Sequence, residues 1–86
     1  MKALILYHPQ SESARGVEDY AHDFKSRNGQ NIELMSLETK VGANLATLYD
    51  IVRYPALLVC QENGDLVKYW EGDRLPLINE VSGYLT

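Results

Sequence analysis

The chain has 86 residues, 45% hydrophobic and 23% charged, and carries a formal net charge of −4. That balance excludes disorder and fits one small domain over residues 1–86, near the lower size at which a chain buries enough surface to fold alone. The negative charge, with eight Lys and Arg scattered along the chain, excludes the electrostatic binding of nucleic acid or anionic lipid, which needs a basic face.

Residues 1–7 (MKALILY) hold an apolar run too short for a signal peptide and without a cleavage pattern, so they read as a strand. The run over 3–7 is continuous, as in a strand covered on both faces. His8 and Pro9 end it, because proline donates no N–H and restrains the residue before it. Ser11 or Ser13 is the expected helix cap. Val17, Tyr20, Ala21 and Phe24 follow at helical spacing and predict one buried stripe. Asn28 and Gly29 stop this helix, with Gly29 suited to a left-handed C-terminal position. Gly16 in the first turns predicts close backbone packing, since it weakens a helix by ~1 kcal/mol relative to alanine.

Residues 31–37 read as a second, more exposed strand. Residues 39–52 read as a helix whose buried stripe is Leu45, Leu48, Tyr49 and Val52, with Gly42 and Asn44 weakening its start. Pro55 can begin a strand but not sit inside one, and 56–60 (ALLVC) is apolar enough to be central. Asn63-Gly64 predicts a tight hairpin turn to a fourth strand over 66–70. Gly72 breaks that strand. Asp73 is the expected cap of a last helix, Pro76 fits its first turn, and Leu77, Ile78, Val81 and Leu85 are its expected buried stripe.

The order is strand, helix, strand, helix, strand, strand, helix, an α/β pattern. The first strand pair should be parallel with a right-handed crossover, and the last an antiparallel hairpin. This order, with a proline directly before the third strand, resembles the minimal thioredoxin-like fold of glutaredoxins, βαβαββα, with a mixed four-stranded sheet and three helices. Tyr49 to Ile51, Tyr54 to Val59, the Asn63-Gly64 turn and Gly72 are similar to the C-terminal half of thioredoxins. The resemblance implies a cis Tyr54–Pro55 bond beside an active-site turn at Ser11, Glu12, Ser13 and Ala14. A second resemblance, to arsenate reductases, covers Tyr7, His8, Pro9, Gln10 and Ser11 through Arg15. It supports the same fold and not an activity.

Members of the thioredoxin-like family place a cysteine at the first helix N-terminus, where the helix dipole stabilises a thiolate. The cysteines of that dithiol motif are missing here: Ser11-Glu12-Ser13-Ala14 stands in their place. A serine hydroxyl is not appreciably ionised near neutral pH and forms no disulfide, so redox activity and a redox cofactor are not expected. Cys60, the one cysteine, allows no intrachain disulfide and reads as a small buried residue of a core strand. It suits a reducing compartment, and with no apolar run near the ~18 residues of a membrane span the expectation is a cytoplasmic protein. Ser11 and Ser13 read as caps rather than nucleophiles, because His8 has no recognisable acidic orienter to complete a triad.

His8 and His22 lack further ligands at metal spacing, so no metal site is expected. Glu12, Glu18, Asp19 and Asp23 read as a solvated acidic helix side. Of the strand-end aromatics Tyr7, Tyr54, Tyr69 and Trp70, only Tyr54 is placed by the resemblance beside the altered turn. The leading functional expectation is a redox-inactive module that binds a peptide or protein in a groove formed by Tyr54, Pro55, Gly72 and Asp73 with the altered turn. The alternative is a glutaredoxin-like enzyme, or a protein that binds glutathione or another small ligand, with a non-cysteine site.

Overall fold

The computed structural model describes residues 1–85. Seven elements follow in order: β1 (Lys2–Tyr7), α1 (Ala14–Asn28), β2 (Glu33–Ser36), α2 (Lys40–Leu48), β3 (Ala56–Cys60), β4 (Leu66–Glu71) and α3 (Ile78–Leu85). The strands form one sheet in the order β2-β1-β3-β4. β1 runs parallel to β2 and antiparallel to β3, and β4 returns antiparallel along β3. The parallel pair and the closing hairpin agree with the sequence.

The two apolar runs occupy the centre of the sheet because neither can afford a wet face. On one face Ala3, Ile5, Tyr7, Leu57 and Val59 meet Val17 and Phe24 of α1 and Val81 of α3. On the other, Leu4, Leu6, Ala56, Leu58 and Cys60 meet Ala46 of α2 and Ile51. Full burial of each large side chain contributes about 1.5–3 kcal/mol. Alternate residues of β1 and β3 thus serve two separate cores.

Gly29 takes φ 70° at the end of α1 and donates its N–H to the carbonyl of Lys25. The Asn63-Gly64 turn departs from a two-residue hairpin. Gln61 and Asp65 pair across a loop of three residues, only Gly64 has positive φ, and a bulge follows beside Cys60. A three-residue loop of this kind needs one left-handed residue rather than two.

Two expected stripes are corrected. In the second helix Leu48 is 70% exposed and Val52 lies beyond the helix at 72% exposure, while Gly42 and Ala46 face the sheet. Gly42 has a packing reason to stand at the helix start. Its N–H takes the Thr39 side-chain cap at 3.0 Å, and a Cβ there would overlap the Ser36 carbonyl. The last helix begins at Ile78, too late for Asp73 to cap it. Leu77 is exposed, and Leu75, ahead of the helix, packs against the core instead.

Candidate functional site

The altered turn and the proline loop meet at one end of the sheet. The turn after β1 is built by backbone bonds: the Ser11 N–H donates to the His8 carbonyl at 3.0 Å, and the Ala14 N–H to the Ser11 carbonyl at 3.2 Å. The Ser11 hydroxyl donates to the same His8 carbonyl at 2.7 Å and lies 3.0 Å from the Ser13 hydroxyl.

Ser13 occupies the N-cap position of α1, but its side chain takes no helix N–H, which corrects the expected side-chain cap. The two hydroxyls engage each other and the loop. No histidine nitrogen is among their hydrogen-bond partners, and a nucleophile would need one as its base. His8 instead sets its ring edge-on to Tyr54, with centroids 5.6 Å apart.

The Tyr54–Pro55 peptide bond is cis, the isomer that the resemblance implies. The Tyr54 hydroxyl donates to the Ile51 carbonyl at 2.8 Å, pinning the loop that leads out of α2. The Pro55 carbonyl accepts from Gly72 N–H at 2.9 Å, and Gly72 has φ 101°. Both backbone groups of Pro55 are therefore accounted for, since proline has no N–H. The main-chain N–H and C=O of Tyr54 have no partner among the described residues.

A depression flanks this dipeptide on each side. One, of about 220 Å³, is lined by Glu12, Ser13, Gly16, Pro55, Asp73 and Leu75, among others. It brings together four of the eight sequence-predicted positions: Glu12, Ser13, Pro55 and Asp73. Gly16 has open space where its Cβ would stand, so it opens this depression and does not mediate the expected close packing. Of the remaining positions, Ala14 is buried in the core, Ser11 lies in the turn, and Gly72 is tied to Pro55.

The second depression, of about 460 Å³, lies on the Tyr54 side and is lined by His8, Leu37, Thr47, Ile51 and Val52, among others. The sequence reading did not find it. Its walls come from α2 and from the ends of β1 and β2, and no local pattern joins them. The signal available in the sequence was the pair His8 and Tyr54, two rings that each adjoin a proline.

Cys60 is buried at the far end of β3, with its Sγ 3.9 Å from the Tyr49 hydroxyl. Tyr49 donates to the Gly64 carbonyl. Partial burial, then Cys60 and Asp65, push the Tyr49 phenol above its ordinary value. The thiol is part of the packing between α2 and the hairpin and lies outside both depressions. No cluster of three or more metal-ligating side chains is found among the described residues. No helix among them is long and apolar enough to cross a membrane.

No protein-family model matches the chain, and no curated protein matches it in sequence. Its similarity to solved structures lies in three dimensions. Thioredoxin 1 from the thermophilic eubacterium Thermosipho africanus superposes with a TM-score of 0.69 at 12% identity, over 99% of this chain and 90% of that one. A malarial protein superposes with a TM-score of 0.62 at 10% identity, over 99% and 94% of the two chains. Likeness at such identities speaks to the fold alone, and that fold is thioredoxin-like.

Proposed function

We propose that this thioredoxin-like chain binds an extended peptide or protein segment across Tyr54–Pro55 and performs no thiol chemistry there. The observation that carries the reading is the main chain of Tyr54, one donor and one acceptor unpaired among the described residues, beside two depressions. An extended segment satisfies such a pair through its own backbone, while its side chains enter flanking recesses for specificity. Pairing of this kind needs no cysteine.

The chemistry of the turn supports the same reading. Ser11 and Ser13 stand where a thiolate would be generated, and their hydroxyls hydrogen-bond to each other and to the loop. The smaller depression carries Glu12 and Asp73 and no lysine or arginine. Two carboxylates make a poor seat for glutathione, which is anionic, and that weighs against the small-ligand alternative.

The test is a peptide-library selection followed by NMR titration of the selected segments. Binding should shift the Tyr54 amide and slow its hydrogen exchange, and Tyr54→Ala should weaken it. Selected peptides that bind while leaving the exchange of the Tyr54 amide unchanged would sink the reading. Glutathione-induced shifts at Ser13 and Asp73 would establish the alternative.

A further inference from the structure

The C-terminus of α2 carries a residue that its own stability does not favour. Asp50 takes φ 57° and is the one non-glycine residue of positive φ among the described residues. Its N–H donates to the Thr47 carbonyl at 3.2 Å, and the Ile51 N–H donates to the Ala46 carbonyl at 2.8 Å. Crossed bonds of this kind close a helix around one left-handed residue, usually glycine and sometimes asparagine. Aspartate takes that conformation less readily than glycine, and it sets a full negative charge at the negative end of the helix dipole. The last turn of α2 holds no basic residue to offset the charge. The Asp50 carboxylate has no hydrogen-bond or ion-pair partner among the described residues.

The position of this carboxylate gives it a use. Asp50 lines the depression of about 460 Å³ beside Tyr54, where it is the one acidic side chain and no lysine or arginine joins it. Leu37, Ala46, Ile51 and Val52 supply apolar walls. A recess that is apolar along its sides and anionic at one point fits a side chain with a long aliphatic stem and a cationic head. Across Tyr54–Pro55 the sign is the same, since the smaller depression carries Glu12 and Asp73. Arg53 lines a separate recess along β4, with Lys68 and Glu71.

We infer that Asp50 is the specificity residue of the larger depression, and that the segment bound across Tyr54–Pro55 places a lysine or arginine there. The inference rests on the peptide-binding reading and fixes the charge of one partner side chain. Asp50 is exposed, and an exposed ion pair changes affinity by only about two- to fivefold. The pairing with the Tyr54 main chain therefore holds the segment, and Asp50 selects among segments. A residue unfavourable to its own helix and set in the wall of a recess is the usual sign of stability given up for function.

Selection of a random peptide library on the full chain, followed by titration of synthetic selected peptides, tests this. Selected peptides should carry a lysine or arginine at one fixed position. Asp50→Asn keeps a residue suited to the left-handed turn, so it should raise the urea midpoint while weakening such a peptide about threefold. Replacing the peptide's lysine by norleucine should weaken binding to the wild-type chain about as much, and should not weaken binding to Asp50→Asn further. Asp50→Lys should prefer a peptide with glutamate at that position. Asp23→Asn removes the same charge from α1 outside both depressions and should leave affinity unchanged. Peptides that slow exchange of the Tyr54 amide but are neutral or acidic overturn this inference and leave the peptide-binding reading standing. The absence of any peptide that slows it removes both. A cationic preference that survives Asp50→Asn, or a urea midpoint that falls with it, also overturns the assignment of Asp50.

Discussion

The N–H of Gly72 donates to the carbonyl of Pro55 over 2.9 Å, tying the end of β4 to the loop that enters β3. Gly72 is buried with φ 101°, a conformation glycine adopts readily and other residues do not. A Cβ there would stand 3.0 Å from the Arg53 guanidinium, the movable end of a long side chain. The strain is therefore mainly in the backbone. Gly72→Ala should lower stability by ~1–2 kcal/mol in urea unfolding and should weaken the peptide binding proposed at Tyr54–Pro55 more than a remote change of equal stability does.

Gly42 presents a different constraint, because no torsional strain is involved. A Cβ on Gly42 would overlap the Ser36 carbonyl oxygen and lie 2.8 Å from its carbon, and both belong to rigid backbone at the β2–α2 junction. Gly42→Ala should cost more than Gly72→Ala, ~2–4 kcal/mol, although alanine is the better helix former. If the urea midpoint rises with Gly42→Ala, the contact between α2 and β2 is not as described.

Tyr20 donates to the Pro76 carbonyl at 2.8 Å, clamping α1 to the segment ahead of α3. Burial, with the Glu80 carboxylate nearby, pushes its phenol up to about 12 from the ordinary 10.0. The folded chain thus holds this proton more tightly than the unfolded one. The stabilising contribution is complete below pH 10 and is lost as the pH rises towards about 12. Tyr20→Phe should flatten stability against pH in that window and, below it, cost about 1 kcal/mol for the lost hydrogen bond. Urea unfolding at a series of pH values reads both effects.

Cys60 should behave as a core residue, at 2% exposure inside β3. A chromogenic disulfide reagent should label it far more slowly than a free thiol, at a rate that follows unfolding as urea is added. Ser13→Cys gives the contrast, since it puts a thiol at the N-cap of α1 beside the smaller depression. That thiol should react far more promptly than Cys60, because Ser13 is only half-buried. Equal reactivity of the two sites would refute the placement of both.

Much of the fold was legible because its signals are local. A strand buried on both faces must be apolar throughout, so residues 3–7 and 56–60 read as central strands. Gly29 and Gly64 announced themselves because few other residues take their positive φ. The seven-element order followed from these markers.

The second helix shows where that reading stops. Helical periodicity locates an apolar stripe and not what covers it. Leu48 and Val52 kept the spacing of a buried face, yet the packing of Gly42 on Ser36 turned Leu48 to solvent and Ala46 to the core, and the helix ended before it reached Val52. The third helix missed its start for a similar reason: Asp73 has the chemistry of a cap, but the chain runs on to Ile78 before it winds.

The sequence by itself determined the order of the elements, the absence of a paired thiol and the special place of Pro55, because each is set by the chemistry of adjacent residues. Only the tertiary structure decided that Glu12, Ser13, Pro55 and Asp73 share one recess. It also placed the His8 ring against Tyr54, and left the Tyr54 main chain without a partner among the described residues. Those outcomes depend on how the sheet brings distant segments together, and no nearest-neighbour rule along the chain encodes that closure.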